Sequence, residues 1–371
     1  MKKIAMAVLA AAVFGASLFA EAKVTFENKV FEDDVISFDD GNESTTDFPA
    51  LKERMAVQLD SDKVDAYVKA TLALDDYDGK HFGVQGEVND WWVEFRPVDP
   101  ITLCLHDNIY SDGSYLPIYD DNMAGGNIGS DGFTTVIRPP VFNKAFRLGL
   151  TVPFSFDGSE DEKDRNYFNG NKDDGEDENF HFGVGVIYSL PKFQLGFTAQ
   201  NLTCSDDRVI GVSVNFPGTF VEGLTVGAGF TNAAAKDAGF GDILSFSDDY
   251  AVGVTGENVI NAAVSYEKDA FSCAVETLIS TEDKVDGEKF LFNKYVGVSV
   301  GYAATDALSF GAFGKFLLVT DSDVFEDNAM GFGFTADYAI NDNNTVGVEF
   351  DYNMCGDASA IAVPVYWKYS F

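Results

Sequence analysis

The chain has 371 residues, 46% apolar and 14% aromatic, with 60 Asp+Glu against 25 Lys+Arg and a formal net charge of -35. That much apolar surface excludes a disordered chain, the length with only 4 cysteines excludes a disulfide-stapled miniprotein, and the acidic excess opposes any nucleic-acid partner. Beyond residue 22 no apolar run approaches the roughly 18 residues a spanning helix needs, so the apolar residues must act in short pieces.

Lys2 and Lys3 precede an apolar stretch over residues 4–20, followed by the A-x-A site Ala20-Glu21-Ala22. This is the pattern of a secretory signal peptide (residues 1–22) cleaved after Ala22, and it predicts an exported protein. The first cysteine is Cys104, so no cysteine stands at the cleavage site to carry a lipid.

From there the chain reads as a succession of short alternating segments. A first strand falls within 24–38. Others follow near 53–60, 64–74, 82–96, 100–106, 132–139, 144–156, 180–190, 193–203, 208–216 and 224–232. The series continues near 258–267, 271–280, 291–302, 307–319, 329–339, 345–354 and 358–371. In 144–156, Phe146, Leu148, Leu150 and Val152 alternate with Arg147, Gly149 and Thr151. Later, Phe332, Phe334 and Tyr338 alternate with Gly333, Thr335 and Asp337. One face is apolar throughout; the other is small, polar or charged, and no segment carries a helical period. The piece 248–255 has no evident pairing partner.

The connections fall into two alternating kinds. Short ones span 96–100, 139–144, 190–192, 216–223, 267–270, 303–307 and 340–344. Longer, acidic ones span 107–131, 157–179, 233–249, 281–289 and 320–328. Turns short at one end and loops long at the other describe an all-β, transmembrane, antiparallel up-and-down β-barrel occupying residues 23–371 as a single unit. Counting strands favours 18, an even number starting and ending on the short-turn side, with 16 as the alternative.

The chain ends I-A-V-P-V-Y-W-K-Y-S-F, with Phe371, Tyr369, Trp367 and Val365 on one face. A last strand closing on Phe resembles the assembly signal of Gram-negative outer-membrane β-barrels. The resemblance implies insertion by the barrel assembly machinery into outer-membrane lipid. The whole chain resembles porins of that class, whose homotrimeric habit it also implies. The phrase WVEFRPVDPITL at residues 92–103 resembles the strand–turn–strand phrase of a spirochaete outer-membrane protein family.

A barrel of 16–18 strands encloses an aqueous channel, and the porin resemblance points to passive diffusion of small hydrophilic solutes. Residues opposite the lipid face are the candidates for the pore lining: Glu94, Arg147, Glu276, Asp337, Glu349 and Asp351, with Lys69 and Arg96 near strand ends. Acid outnumbers base among them, which predicts a preference for cations. The loop 157–179, carrying Asp161, Glu162, Asp173, Asp174, Glu176, Asp177 and Glu178, is the candidate for an inward-folded constriction loop or a solvated outer loop.

Two other readings stay open. The acidic loops could bind a surface partner, with the barrel as platform. A hydrophobic-solute, fatty-acid-like transporter would need inward aromatics, for which Tyr67, Phe313 and Tyr366 are the candidates.

Smaller signals are weaker. Residues 171–178 hold many carboxylates without calcium-loop spacing, which suits at most weak Ca2+ or Mg2+ binding. His81, His106 and His181 fall near strand ends on the long-loop side, and no zinc spacing is present. Cys204 and Cys355 lie in long-side loops, where a disulfide between them is one option. No nucleophile elbow, H-E-x-x-H or phosphate loop occurs, so no enzyme is expected and no cofactor is implied.

Overall fold

The computed structural model describes residues 21–30, 36–39, 42–44, 51–76, 82–106, 132–139, 145–153, 182–200, 202, 208–233, 243–247, 250–254, 256–281, 292–318, 329–356 and 358–370. All of the regular structure among them is strand. In chain order, β1 (Glu21–Val30), β2 (Ile36–Asp39) and β3 (Asn42–Ser44) precede β4 (Leu51–Asp60), β5 (Val64–Asp76) and β6 (Phe82–Val98). Next come β7 (Ile101–His106), β8 (Gly132–Ile137), β9 (Phe146–Pro153), β10 (Gly183–Leu190), β11 (Phe193–Gln200), β12 (Val209–Pro217) and β13 (Leu224–Ala233). A small hairpin follows, β14 (Leu244–Ser247) and β15 (Tyr250–Val252). The chain then runs through β16 (Asn258–Lys268), β17 (Phe271–Ser280), β18 (Lys294–Ala303), β19 (Leu308–Leu318), β20 (Ala329–Asn341), β21 (Asn344–Cys355), β22 (Ala358–Ala362) and β23 (Val365–Ser370).

Neighbouring staves pair antiparallel, and the ladder returns on itself. β1 pairs with β4 over Glu21↔Asp60 to Val30↔Leu51, and on its other edge with β23 over Thr25↔Ser370 to Val30↔Val365. β21 pairs with β23 through Asn344↔Tyr369 to Val348↔Val365, and with β22 through Asp351↔Ala362 to Cys355↔Ala358. β22 and β23 are therefore one stave interrupted at Val363 and Pro364. β2 continues the line of β1, pairing Ile36↔Ile361 to Phe38↔Ser359. Counted as staves among the described residues, and leaving aside β3, β14 and β15, the ring has eighteen members, the number favoured from the sequence. Closure matters in lipid, where an open edge would leave N–H and C=O groups without water or partner. The interruption has a local cause: Pro364 has no N–H to give the ladder, though its carbonyl still accepts from Glu349 N at 2.9 Å.

The alternation read from the sequence is the alternation observed. Leu195, Phe197, Val212, Phe230, Val275, Val300, Phe334, Val348, Phe350, Val365 and Trp367 are all exposed, forming the apolar outer band. Between them, Thr151, Thr198, Ser213, Thr231 and Asn261 turn inward and are buried. In water such an outer band would cost roughly 25 cal/mol per Å2 of exposed apolar surface; facing acyl chains, it costs nothing. Ten tilted residues rise roughly 25 Å, enough for the hydrocarbon core of an outer membrane.

The turns are tight at the end where the chain terminates. β16 and β17 are joined by Asp269 and Ala270 alone, with Asp269 at φ 53°, a left-handed conformation that aspartate tolerates. Gly223 at φ 82° sits against the carbonyl of Glu267, where a Cβ would collide with backbone. Long connections leave from the opposite end.

Candidate functional site

The inner wall carries charge in clusters. On the arc formed by β5 to β9, Arg96 donates to Asp65 and, at 3.1 Å, to Glu94, and its other nitrogen reaches Ser61 O at 3.2 Å. Cys104 Sγ donates to the same Glu94 at 3.7 Å. Arg138 donates to Thr102 Oγ1 at 2.7 Å. Arg147 stands in register with Ile187 on the inward parity of β9, one step beyond the pairing Ile137↔Leu148 that would bring it opposite Arg138.

The acids gather on the far side of the ring. Glu276 on β17 is 1% exposed and accepts from Tyr295 OH at 2.8 Å. Asp337 on β20 accepts from Tyr366 OH, whose ring lies over Gly347. Glu349 and Asp351 follow on the inward parity of β21, opposite Thr335 and Gly333. Lys315 on β19 stands among Glu276, Asp351 and Glu349, with its Nζ 5.6 Å from the centre of the Phe313 ring. By strand count β6–β9 lie across the ring from β17–β20, so the arginine arc faces the main acidic arc.

The wall described by these contacts is mixed in sign. Arg96 is offset by Asp65 and Glu94, and Glu276 is sealed from the channel water. Lys69 pairs in register with Ala56 and Asp90. Of the inward aromatics, Tyr67 stacks on Trp92 with centroids 6.0 Å apart, and the rings of Phe313 and Tyr366 occupy the space where Gly333 and Gly347 lack a Cβ. Glycines opposite large rings are what allow aromatic groups to fold down onto the wall instead of standing into the lumen.

One feature of the lumen is not foreseen by the sequence pattern. The wall turns apolar near the long-loop end on seven consecutive staves, from Val259 and Ala263 on β16, through Leu278, Tyr295 and Leu317, to Cys355 and Ala360. The hairpin β14–β15 lies against this patch. Ile243 and Leu244 are each 2% exposed, and Val254 and Phe292 are buried with them. Ile243 N donates to Val252 O at 3.0 Å, Lys315 Nζ donates to Ile243 O at 3.3 Å, and Val254 forms a parallel bridge to Phe292. Burying these four side chains contributes roughly 1.5–3 kcal/mol each, so the hairpin is held in place. The signal in the sequence is faint but present. Leu278 and Leu317 are large apolar residues on the parity that elsewhere holds Gly, Ser and Thr.

Several expected features fall on other ground. The loop 157–179, with Asp161, Glu162, Asp173, Asp174, Glu176, Asp177 and Glu178, lies outside the described residues, as do His81, His181, Cys204 and Phe371. His106 ends β7, in register with Trp92 and Gly132. Cys355 is buried in the apolar cluster at the end of β21, and its disulfide option with Cys204 falls outside the described residues. Glu21 and Ala22 already belong to β1, so cleavage after Ala22 would leave eight residues of that strand. Among the described residues no group of three or more His, Cys, Asp and Glu side chains could hold a metal ion.

Comparison with solved structures returns outer-membrane channels over almost the whole chain. Pseudomonas aeruginosa OccK9 (OpdG) aligns with TM-score 0.58 at 11% identity, covering 95% of this chain and 98% of that one. Acinetobacter baumannii OccAB3 gives 0.57 at 11%, covering 95% and 99%. Pseudomonas aeruginosa OpdK, solved with vanillate, gives 0.56 at 12%, covering 95% and 98%. At these identities the likeness establishes the fold, an outer-membrane barrel. No curated protein matches the sequence. Residues 141–354 match the family described as type IX secretion system membrane protein PorP/SprF. That stretch excludes the phrase at 92–103, so the spirochaete resemblance is not what places the chain. Matched over more than half its length, this outer-membrane β-barrel belongs to the PorP/SprF family.

Proposed function

We propose that the protein is a passive diffusion channel of the bacterial outer membrane, admitting small hydrophilic solutes with a preference for cations. The observation that carries this reading is the eighteen-stave ring with an apolar exterior and an inner wall bearing Arg96, Arg138, Asp337, Glu349 and other polar groups. Eighteen staves at ordinary spacing and tilt give a backbone radius of roughly 18 Å, too wide for the wall's own side chains to fill. The described wall holds both signs, so cation preference rests on the chain's net charge of -35 and on the acidic long loops. Single-channel conductance of the refolded protein under a KCl gradient tests both parts. Stable steps with a cation-selective reversal potential support the reading; a folded but silent barrel overturns it, and an anion-selective potential overturns the charge argument.

A second reading follows from the family match: the barrel is the outer-membrane part of a type IX secretion apparatus. Loss of protein export on deletion of the gene, with uptake of small solutes unchanged, would favour this reading over diffusion.

A further inference from the structure

We propose that the hairpin β14–β15, seated through Ile243, Leu244 and the following Val254, forms the constriction of the barrel, occupying the mouth along β19–β22 and confining passage towards the opposite arc, β4–β11. The inference rests on the diffusion-channel reading and deepens it by naming the element that sets the size of the opening.

The argument begins with fit. A lumen lined for water has no use for a continuous apolar patch, because each such side chain left wet forfeits its burial free energy. The hairpin sets its own apolar side chains into this patch, with Ile243 and Leu244 each 2% exposed. The seat is shaped for its occupant: a Cβ on Gly331 would lie 2.6 Å from Leu244 Cδ2, so glycine is what gives Leu244 its place.

The hairpin is also tied to the wall and to its neighbouring loop. Lys315 spends a hydrogen bond on the Ile243 carbonyl, and Val254 pairs with Phe292 ahead of β18. Two strands with side chains occupy about 10 Å of depth, against an inner span of more than 20 Å, so the hairpin narrows the lumen without filling it. The staves it packs against, β20–β22, adjoin β19 with its Lys315 group; the staves across the ring carry Arg96, Arg138 and Arg147. The element that fixes pore size therefore also decides which charges a passing solute meets.

Cys355, buried beneath the hairpin, is a built-in reporter that does not depend on conduction. The test uses full-length refolded protein carrying Cys104→Ser, Cys204→Ser and Cys273→Ser, so that Cys355 is the sole thiol. It compares this parent with Leu244→Ser/Val254→Ser and, as a variant that leaves the hairpin's own sequence intact, Gly331→Leu. Folding is checked by heat-modifiable migration. A small maleimide should label Cys355 in both variants at least about tenfold faster than in the parent, since the parent must first open locally. The conductance step should rise by roughly half or more as cross-section is freed. Equal labelling of parent and variants would overturn the seated hairpin. Faster labelling with unchanged steps would overturn its role as constriction. A parent and variants that all stay silent while Cys355 remains protected in the parent would overturn the diffusion reading itself, and the constriction with it.

Discussion

Tyr295 and Glu276 meet inside the barrel wall: the phenol donates to the carboxylate at 2.8 Å, and neither residue is more than 1% exposed. Their strands are adjacent, with Glu276 in register with Gly297, two residues from Tyr295, and the missing side chain at Gly297 lets the tyrosine ring fold down onto the carboxylate. Nearby Lys315 supplies the positive charge that a buried acid requires.

Removing that donor should be costly. Tyr295→Phe leaves a buried carboxylate short of one hydrogen bond, a loss of about 1–3 kcal/mol. The midpoint of urea unfolding in lipid vesicles should fall accordingly, and Glu276→Gln in the same background should recover part of the loss. An unchanged midpoint in Tyr295→Phe would mean the pair contributes nothing.

The outer band makes a prediction that depends on depth. Val275 and Phe334 are exposed on the lipid face near the middle of their strands. Val275→Lys or Phe334→Arg should destabilise the barrel by about 2–4 kcal/mol in a bilayer. Thr335→Lys, one residue from Phe334 but on the inner face, partly exposed and opposite Glu349, should cost much less. Equal losses on the two faces would invert the assignment of inside and outside.

The turn at Gly223 admits little else. At φ 82° with Glu267 O close by, Gly223→Ala should cost more than about 1 kcal/mol, from left-handed strain together with the clash. Gly218, also at positive φ but with open space where a Cβ would stand, should tolerate alanine better. Comparing the unfolding midpoints of the two variants isolates the steric part.

Export and assembly can be read from mass and migration. The intact mass of protein taken from outer membranes should correspond to a chain beginning at Lys23, as expected for cleavage after Ala22. Trimming the aromatic end, by Phe371→Ala with Tyr369→Ala, should lower the heat-modifiable fraction in cells while leaving refolding in detergent intact. A drop in both would make these residues structural rather than an assembly signal.

The resemblance to porins and the count of eighteen were legible because a strand repeats every second residue. Phe332, Phe334 and Tyr338 against Gly333, Thr335 and Asp337 announce two environments whatever the rest of the chain does. The same parity is what sets Glu94, Arg147, Glu276, Asp337, Glu349 and Asp351 opposite the apolar face of their strands. Which of them share a neighbourhood does not, because pairing across a ring depends on register summed over many strands. Arg96 with Asp65, Tyr366 with Asp337 and Tyr295 with Glu276 are contacts between strands that local sequence does not encode.

The hairpin marks the boundary most clearly. The sequence by itself determined the alternation, the barrel class and the sorting of short turns from long loops, since these are properties of neighbouring residues. Only the tertiary structure decided that β14 and β15 turn back into the lumen, where Leu244 meets Gly331 and Lys315 meets the Ile243 carbonyl. Apolar residues in a loop state that they must be buried; where the burial is found depends on a wall that exists only once the ring has closed.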